Sequence, residues 1–312
     1  MKHLILMLIT LPLFGYSQTG DNAMKHIISE YEFETHYVAI DGVNISYVKE
    51  GSGDKTLLFI HGLSSNLDAW SKNIESLKSK YTCIALDLPG FGKSDKPEAK
   101  YTPTYFSEVI KRFIDEFHLK NVVLIGHSMG GQAAIKLTST NPDNIEKLVL
   151  VAPAGIERFS EAHGNIIKSM FTPSFVANTT DQQIKNNYAL NFYKQPEEVS
   201  KMIADRIAIK NASDFEAHCN AISKSIAGMI DDPVSNDLEQ ISKPTLVLFG
   251  KNDMLIPNRY FHPELDVVKV GEMAQKYIKN ATLLFVDESG HFLQFEQFEK
   301  VNDSIEEFIE KD

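Results

Sequence analysis

Val122-Val123-Leu124-Ile125-Gly126-His127-Ser128-Met129-Gly130-Gly131-Gln132-Ala133-Ala134 decides how the chain is read. β-Branched and apolar residues run into Gly126, and helix-forming residues resume directly after Ser128. This is Gly-x-Ser-x-Gly set where a buried strand turns sharply into a helix. So tight a turn presses the backbone against neighbouring elements, and Gly126 and Gly130 carry no Cβ to obstruct it. The Ser128 hydroxyl then projects from the sheet edge at a helix N-terminus. Free N–H groups and the helix dipole favour a developing negative charge there. A glycine-rich turn with an incidental serine is the plainer alternative, and the strand-then-helix setting argues against it.

Working outward, the same alternation continues on both sides. Upstream, 34–40 and 43–49 read as a hairpin around Asp41-Gly42. Residues 56–60 and 81–86 are continuous apolar runs, the mark of strands covered on both faces. Helical patterns at 69–80 and 105–117 separate them, the second with Val109, Ile110, Phe113, Ile114 and Phe117 on one face. Downstream, a helix at 129–140 stops near Pro142, and a strand follows at 145–151. Strands at 245–249 and 281–286 resume later, with helices at 271–278 and 295–309. Parallel crossovers need helices, so the fold class is α/β with a doubly wound, mostly parallel sheet.

The alternation breaks between about 155 and 237. Helical pieces replace strands at 166–170, 181–192, 197–210 and 214–230. Phe159, Met170, Phe171, Phe175, Phe192, Tyr193, Phe215 and Met229 make this stretch rich in aromatics and methionine. A helical insertion between two sheet strands belongs at the strands' carboxyl edge as a lid. Its apolar residues divide between its own core and a pocket lining. The expected organisation is a single domain over 18–312 with this cap inserted.

Ligands in open parallel sheets bind beyond the carboxyl ends of the strands. Four such ends carry polar residues here: His61-Gly62-Leu63, Ser128, Asp253 and His291. A serine hydroxyl needs a base within hydrogen-bond reach, and the base needs a group to hold its tautomer. Ser128, Asp253 and His291 follow one another in the nucleophile–acid–base order expected of a serine at such a corner. Asp231, Asp232 and Asp287 are rivals for the acid, because an aspartate in a turn such as Asp253 is common for local reasons. The oxyanion donors fall to the backbone N–H groups of Leu63 and Met129. His127 is read as packing.

Apolar residues make up 43% of the 312-residue chain and charged residues 23%, an ordinary globular composition. The net charge of −11 argues against nucleic acid or an anionic membrane as partner. Residues 1–17 have the pattern of a signal peptide, a basic start, an apolar run and Gly15-Tyr16-Ser17, with cleavage expected before Gln18. The run is too short to span a bilayer, and no cysteine offers a lipid attachment site near the cut. The mature chain, with 30 basic against 42 acidic side chains, is expected to be exported without a stable membrane anchor. Residues 18–29 read as a polar leader. Cys83 and Cys219 lie in separate apolar contexts and read as unpaired buried thiols.

At these residues the chain resembles the α/β-hydrolase superfamily from about Tyr37 to the C-terminus. The resemblance is carried by His61-Gly62-Leu63, Asp87-Leu88-Pro89-Gly90-Phe91-Gly92-Lys93-Ser94, Gly126-His127-Ser128-Met129-Gly130-Gly131, Gly250-x-x-Asp253 and Gly290-His291. Within it, the 87–94 segment is similar to those of carboxylesterases, enol-lactonases and carbon–carbon hydrolases. Related dehalogenases and epoxide hydrolases place an aspartate where this chain has Ser128. The expected reaction is ester hydrolysis through an acyl-enzyme, and the apolar helical insertion points to a small-to-medium hydrophobic substrate. Carbon–carbon or enol-lactone cleavage with the same triad is the first alternative, and a non-catalytic binding protein on the same fold the second. No metal and no organic cofactor is expected. Residues 258–266 depart from the simple pattern, and Arg259, Tyr260 and His262 there are either substrate contacts or surface decoration.

Overall fold

The computed structural model describes residues 22–311; the expected signal peptide, 1–17, lies outside them. The strands are β1 (His36–Ile40), β2 (Val43–Glu50), β3 (Thr56–Ile60), β4 (Thr82–Leu86), β5 (Val122–His127), β6 (Ile145–Val151), β7 (Thr245–Gly250) and β8 (Ala281–Val286). They form an eight-stranded sheet in the order β1-β2-β4-β3-β5-β6-β7-β8. β1–β2 and β2–β4 pair antiparallel, and every later pair is parallel. Every residue of β3, β5 and β7 is buried, which is why these strands read as unbroken apolar runs. The edge strands β1 and β8 alternate between more and less exposed positions, as an uncovered face requires. β3 has β4 on one side and β5 on the other, so the strand order reverses there. The carboxyl ends of β3 and β5 therefore border the crevice where this architecture binds ligands.

Helices flank the sheet: α1 (Met24–Ile27), α2 (Ser71–Leu77), α3 (Pro103–Glu116), α4 (Met129–Thr140), α5 (Glu161–Met170), α6 (Pro173–Ala177), α7 (Asp181–Ala189), α8 (Val199–Ala208), α9 (Phe215–Asp231), α10 (Val267–Tyr277), α11 (Leu293–Glu296) and α12 (Phe298–Glu310). α3 packs on α4 and α2 on α12. The second pair is tied by a buried hydrogen bond from Asn73 Nδ2 to Asn302 Oδ1 at 2.7 Å. α5 to α9 form the helical insertion between β6 and β7, at the place the broken alternation indicated. Within it α6 and α5 both pack on α9, and α7 on α8. Thr180 and Gln183 close a capping box at the start of α7.

The N-terminal segment differs from the expected polar leader. From Asn22 onward it is docked, with Met24, Ile28 and Tyr31 buried. Its polar groups bond to partners far along the chain, among them Asp87, Asp205 and Asp214. No local periodicity could announce such contacts. Cys83 and Cys219 are both free and buried, and burial pushes their thiols up to about 12 and about 11.

Candidate active site

Ser128 joins β5 to α4 with φ 52° and ψ −116°, a conformation non-glycine residues rarely adopt. The corner is held on every side. Ser128 N–H donates to Val151 O at 3.0 Å, and Ser128 O accepts from Gln132 N at 3.0 Å and Ala154 N at 3.1 Å. A Cβ on Gly126 would stand 2.5 Å from Gly130 O, and one on Gly130 would stand 2.5 Å from both Ile60 O and His61 O. Only hydrogen fits at either position. Ser128 keeps part of its surface open, whereas Asp253 and His291 are buried. Among the described residues Ser128 Oγ makes no hydrogen bond; contacts of this kind often tighten only when substrate is bound.

β7 and β8 lead into the loops that carry Asp253 and His291, the expected acid and base. His291 Nδ1 donates to Asp253 Oδ2 at 2.8 Å. The other carboxylate oxygen, Oδ1, accepts from Leu255 N at 2.8 Å and Ile256 N at 3.0 Å. Asp253 thus forms the local turn and orients the imidazole at once. The rival aspartates lie elsewhere. Asp231 pairs with Lys168 at 2.6 Å, Asp287 with Lys251 at 2.7 Å, and Asp232 accepts from Thr104 N at 2.8 Å. On the far side of the base, His127 Nε2 donates to the carbonyl of His291 at 3.0 Å. His127 is buried against Trp70 and Phe292. Burial, with the neighbouring His291, holds its pKa well below the usual histidine value. It is therefore neutral, with its one proton on Nε2, and fixes the backbone of His291. The sequence read it as packing alone.

The loop after β3 faces the serine corner. A Cβ on Gly62 would lie 3.2 Å from Ser128 Cβ, so loop and corner are in direct contact. His61 Nε2 accepts from Leu88 N at 3.0 Å, which leaves its proton on Nδ1, 2.7 Å from Gly62 O. Burial lowers the pKa of this imidazole and keeps it neutral. The amides of Leu63 and Met129 donate to no other group among the described residues. Below this loop Asp87 is fully buried and accepts from Tyr31 Oη (2.8 Å), Ser46 Oγ (2.5 Å), Lys93 N (2.7 Å) and Leu67 N (2.7 Å). The 87–94 segment is thus a structural brace that seats the loop. Among the described residues no group of three or more His, Cys, Asp or Glu side chains could hold a metal ion.

The α/β-hydrolase-fold family model matches residues 55–202. A hydrolytic enzyme of Pseudomonas aeruginosa, described as probable, superposes with a TM-score of 0.81 at 21% identity, over 93% of this chain and 98% of that one. The chain belongs to the α/β-hydrolase superfamily. Among its relatives is the dihydrolipoyllysine-residue acetyltransferase component of the acetoin cleaving system of Cupriavidus necator. That protein is 28% identical, over 93% of this chain and 71% of its own length. A Haemophilus influenzae protein provisionally named esterase/lipase is 26% identical, over 85% of this chain and 86% of its own.

This α/β-hydrolase has a cavity of about 270 Å³ between the insertion and the site. Leu63 and Phe292, neighbours of the serine corner and of His291, line it together with Phe171, Phe175 and Phe192 of the insertion, while Ser128 and His291 themselves are not among its lining residues. Met170 and Tyr193, also singled out in the sequence, are exposed instead. The insertion grips the base loop: Phe292 N donates to Asn191 O at 2.9 Å, and a Cβ on Gly290 would stand 2.5 Å from the same oxygen. Arg206 of α8 also lines the cavity and was missed in the sequence. Its Nη1 is buried without a partner, and among the described residues no carboxylate pairs with it. Its guanidinium lies 5.7 Å from the Phe215 ring, and burial holds its pKa below the usual arginine value. Met202, Arg206 and Ile209 fall on one helical face and all line the cavity. An arginine in that register was the available signal. The 258–266 loop is more modest. Arg259 Nη2 donates to Asp253 O at 3.3 Å, Tyr260 is 83% exposed, and His262 is buried 5.0 Å from the Phe159 ring. None of these three is among the cavity's lining residues.

Proposed function

We propose that this α/β-hydrolase is an exported serine esterase acting on small-to-medium hydrophobic esters, with the helical insertion as its lid. The observation that carries the reading is the buried Asp253–His291 pair at 2.8 Å, beside a serine held on a left-handed corner. With Nδ1–H given to Asp253, the lone pair of His291 is on Nε2. That nitrogen takes the Ser128 proton as Oγ attacks the ester carbonyl. The tetrahedral oxyanion is met by the Leu63 and Met129 amides, each typically worth about 3 kcal/mol to the transition state. Collapse expels the alcohol, which receives the proton from His291. Water, deprotonated by the same nitrogen, then releases the acid and restores the serine. The cavity is near the small end of ligand pockets, which usually run from about 300 Å³ upward, and its phenylalanines suit an apolar substrate. A relative provisionally named esterase/lipase adds support.

Incubation with p-nitrophenyl butyrate tests the reading, with Ser128→Ala as control. Turnover in the parent, its loss in the variant and labelling of Ser128 by a fluorophosphonate are the expected results. An inert parent that no fluorophosphonate labels refutes it and leaves the binding-protein alternative.

Arg206 favours a second reading. An unpaired guanidinium in the cavity suits a substrate that carries a carboxylate, as a carbon–carbon or enol-lactone hydrolase with the same triad would use. Faster turnover of acidic than of neutral substrates, reversed in Arg206→Gln, would establish it.

A further inference from the structure

Residues 22–31 lie across the insertion and the core, and every tie is specific. Asn22 Nδ2 donates to Asn211 O at 2.6 Å, and Met24 N to Asp214 Oδ1 at 2.8 Å. Ser29 gives both its amide (3.1 Å) and its hydroxyl (2.6 Å) to Asp205 Oδ1. Lys201 Nζ donates to Glu30 O at 2.8 Å. At its far end Tyr31 Oη reaches the buried Asp87 at 2.8 Å. The backbone of this segment is therefore fixed by groups on the insertion and on the core together. Between those anchors, the side chains of Met24 and Ile28 turn inward. They are only 1% and 6% exposed, and both line the same cavity as Leu63, Phe292 and Arg206.

We propose that Met24 and Ile28 form the wall that sets how long a substrate chain the cavity accepts. The insertion supplies most of the remaining lining, with Leu63 and Phe292 from the core, but this wall comes from a segment the sequence offers as a mere leader. The apolar contact favours a straight or lightly branched hydrocarbon part over a polar one. Because Asp214 and Asp205 hold the backbone amides of Met24 and Ser29, shortening the side chains enlarges the cavity and leaves the segment seated. The proposal rests on the esterase reading for its substrate, though not for its geometry.

The experiment uses the full chain and two variants, Met24→Ala/Ile28→Ala and Ile28→Phe. Rates on p-nitrophenyl esters from acetate to dodecanoate give a chain-length profile. In parallel, straight-chain carboxylates from butanoate to dodecanoate, kept below micelle-forming concentrations, are scored by the rise they cause in Tm, which needs no catalysis. The double variant is expected to move both optima up by about two carbons. At the usual worth of a buried methylene, that raises the octanoate-to-butyrate ratio of kcat/KM about tenfold. Ile28→Phe is expected to move both optima down. Esters hydrolysed with both profiles unchanged, in variants whose far-ultraviolet spectra match the parent, overturn the wall. Carboxylate optima that move in a chain inert towards every ester overturn the esterase reading and keep the wall. Should the double variant fail to fold, Ile28→Phe alone decides by the same two profiles.

Discussion

Asp253→Asn is the most telling single change. Asparagine has the shape of aspartate, but its two ends differ. The Oδ1 position already accepts two backbone amides, from Leu255 and Ile256, so the amide oxygen of asparagine must stay there. Its NH₂ group is then forced to face His291 Nδ1, where Asp253 presents Oδ2 at 2.8 Å. Two donors cannot meet, and the imidazole is driven to the tautomer with its proton on Nε2. That nitrogen can no longer take a proton from Ser128. The same substitution in a serine protease triad costs about 10⁴ in kcat through the wrong tautomer, which is about 5 kcal/mol of barrier. The two amides here leave asparagine no escape by flipping, so a loss of about 10⁴ in kcat/KM on p-nitrophenyl butyrate is expected. Tm should fall little, because shape and the turn are kept. A variant within tenfold of the parent, equally folded, would refute the assignment of Asp253 and with it the geometric reasoning about the base.

Gly126→Ala places a Cβ 2.5 Å from Gly130 O and 2.7 Å from Gly131 Cα. Overpacking of this kind costs about 1–3 kcal/mol, read as a lower urea midpoint with loss of activity; an unchanged midpoint would count against the tight corner. Glu157 is buried, accepts the Asn258 amide at 3.0 and 3.2 Å, and is raised by burial from 4.5 to about 7. A carboxyl raised on folding stabilises fully below its unfolded value, near 4.5, and that contribution is lost as pH rises through about 7. Glu157→Gln never ionises, so its urea stability should gain on the parent between pH 5 and 8, by about 3 kcal/mol at most; a difference independent of pH would sink this. Expression with the native N-terminus in a secreting host should yield a mature chain starting at Gln18 by N-terminal sequencing, and an intact Met1 would argue against export.

The sheet was legible because its central strands are buried on both faces. Thr56–Ile60 and Ile145–Val151 were placed to the residue; the first is an almost wholly apolar run, and the second closes on the apolar Leu148–Val151 despite Glu146 and Lys147 near its start. Ser128 was legible because a local pattern, strand, glycine, serine, glycine, helix, contains its own geometry. Asp253 and His291 were inferred from chain order, and the fold places them 2.8 Å apart. What escaped was set by distant partners. Met24 and Ile28 owe their burial to anchors on Asp214 and Asp205, nearly two hundred positions away, and nothing near them in sequence records it. Arg206 escaped for a different reason. An arginine on an amphipathic helix is ordinarily solvated, and only the cavity beside it makes the position unusual. His127 was placed but undervalued, because its bond to a backbone carbonyl is invisible to residue type.

The backbone of Ser128, at φ 52° and ψ −116°, has one further consequence. A residue held in so sparsely populated a region costs of order 1–3 kcal/mol, and glycine would pay least there. Heat tolerance and turnover therefore pull this position in opposite directions. A library bred only for survival at high temperature, with no demand for product, should shed the hydroxyl among its earliest changes, and the survivors would be sturdier and inert.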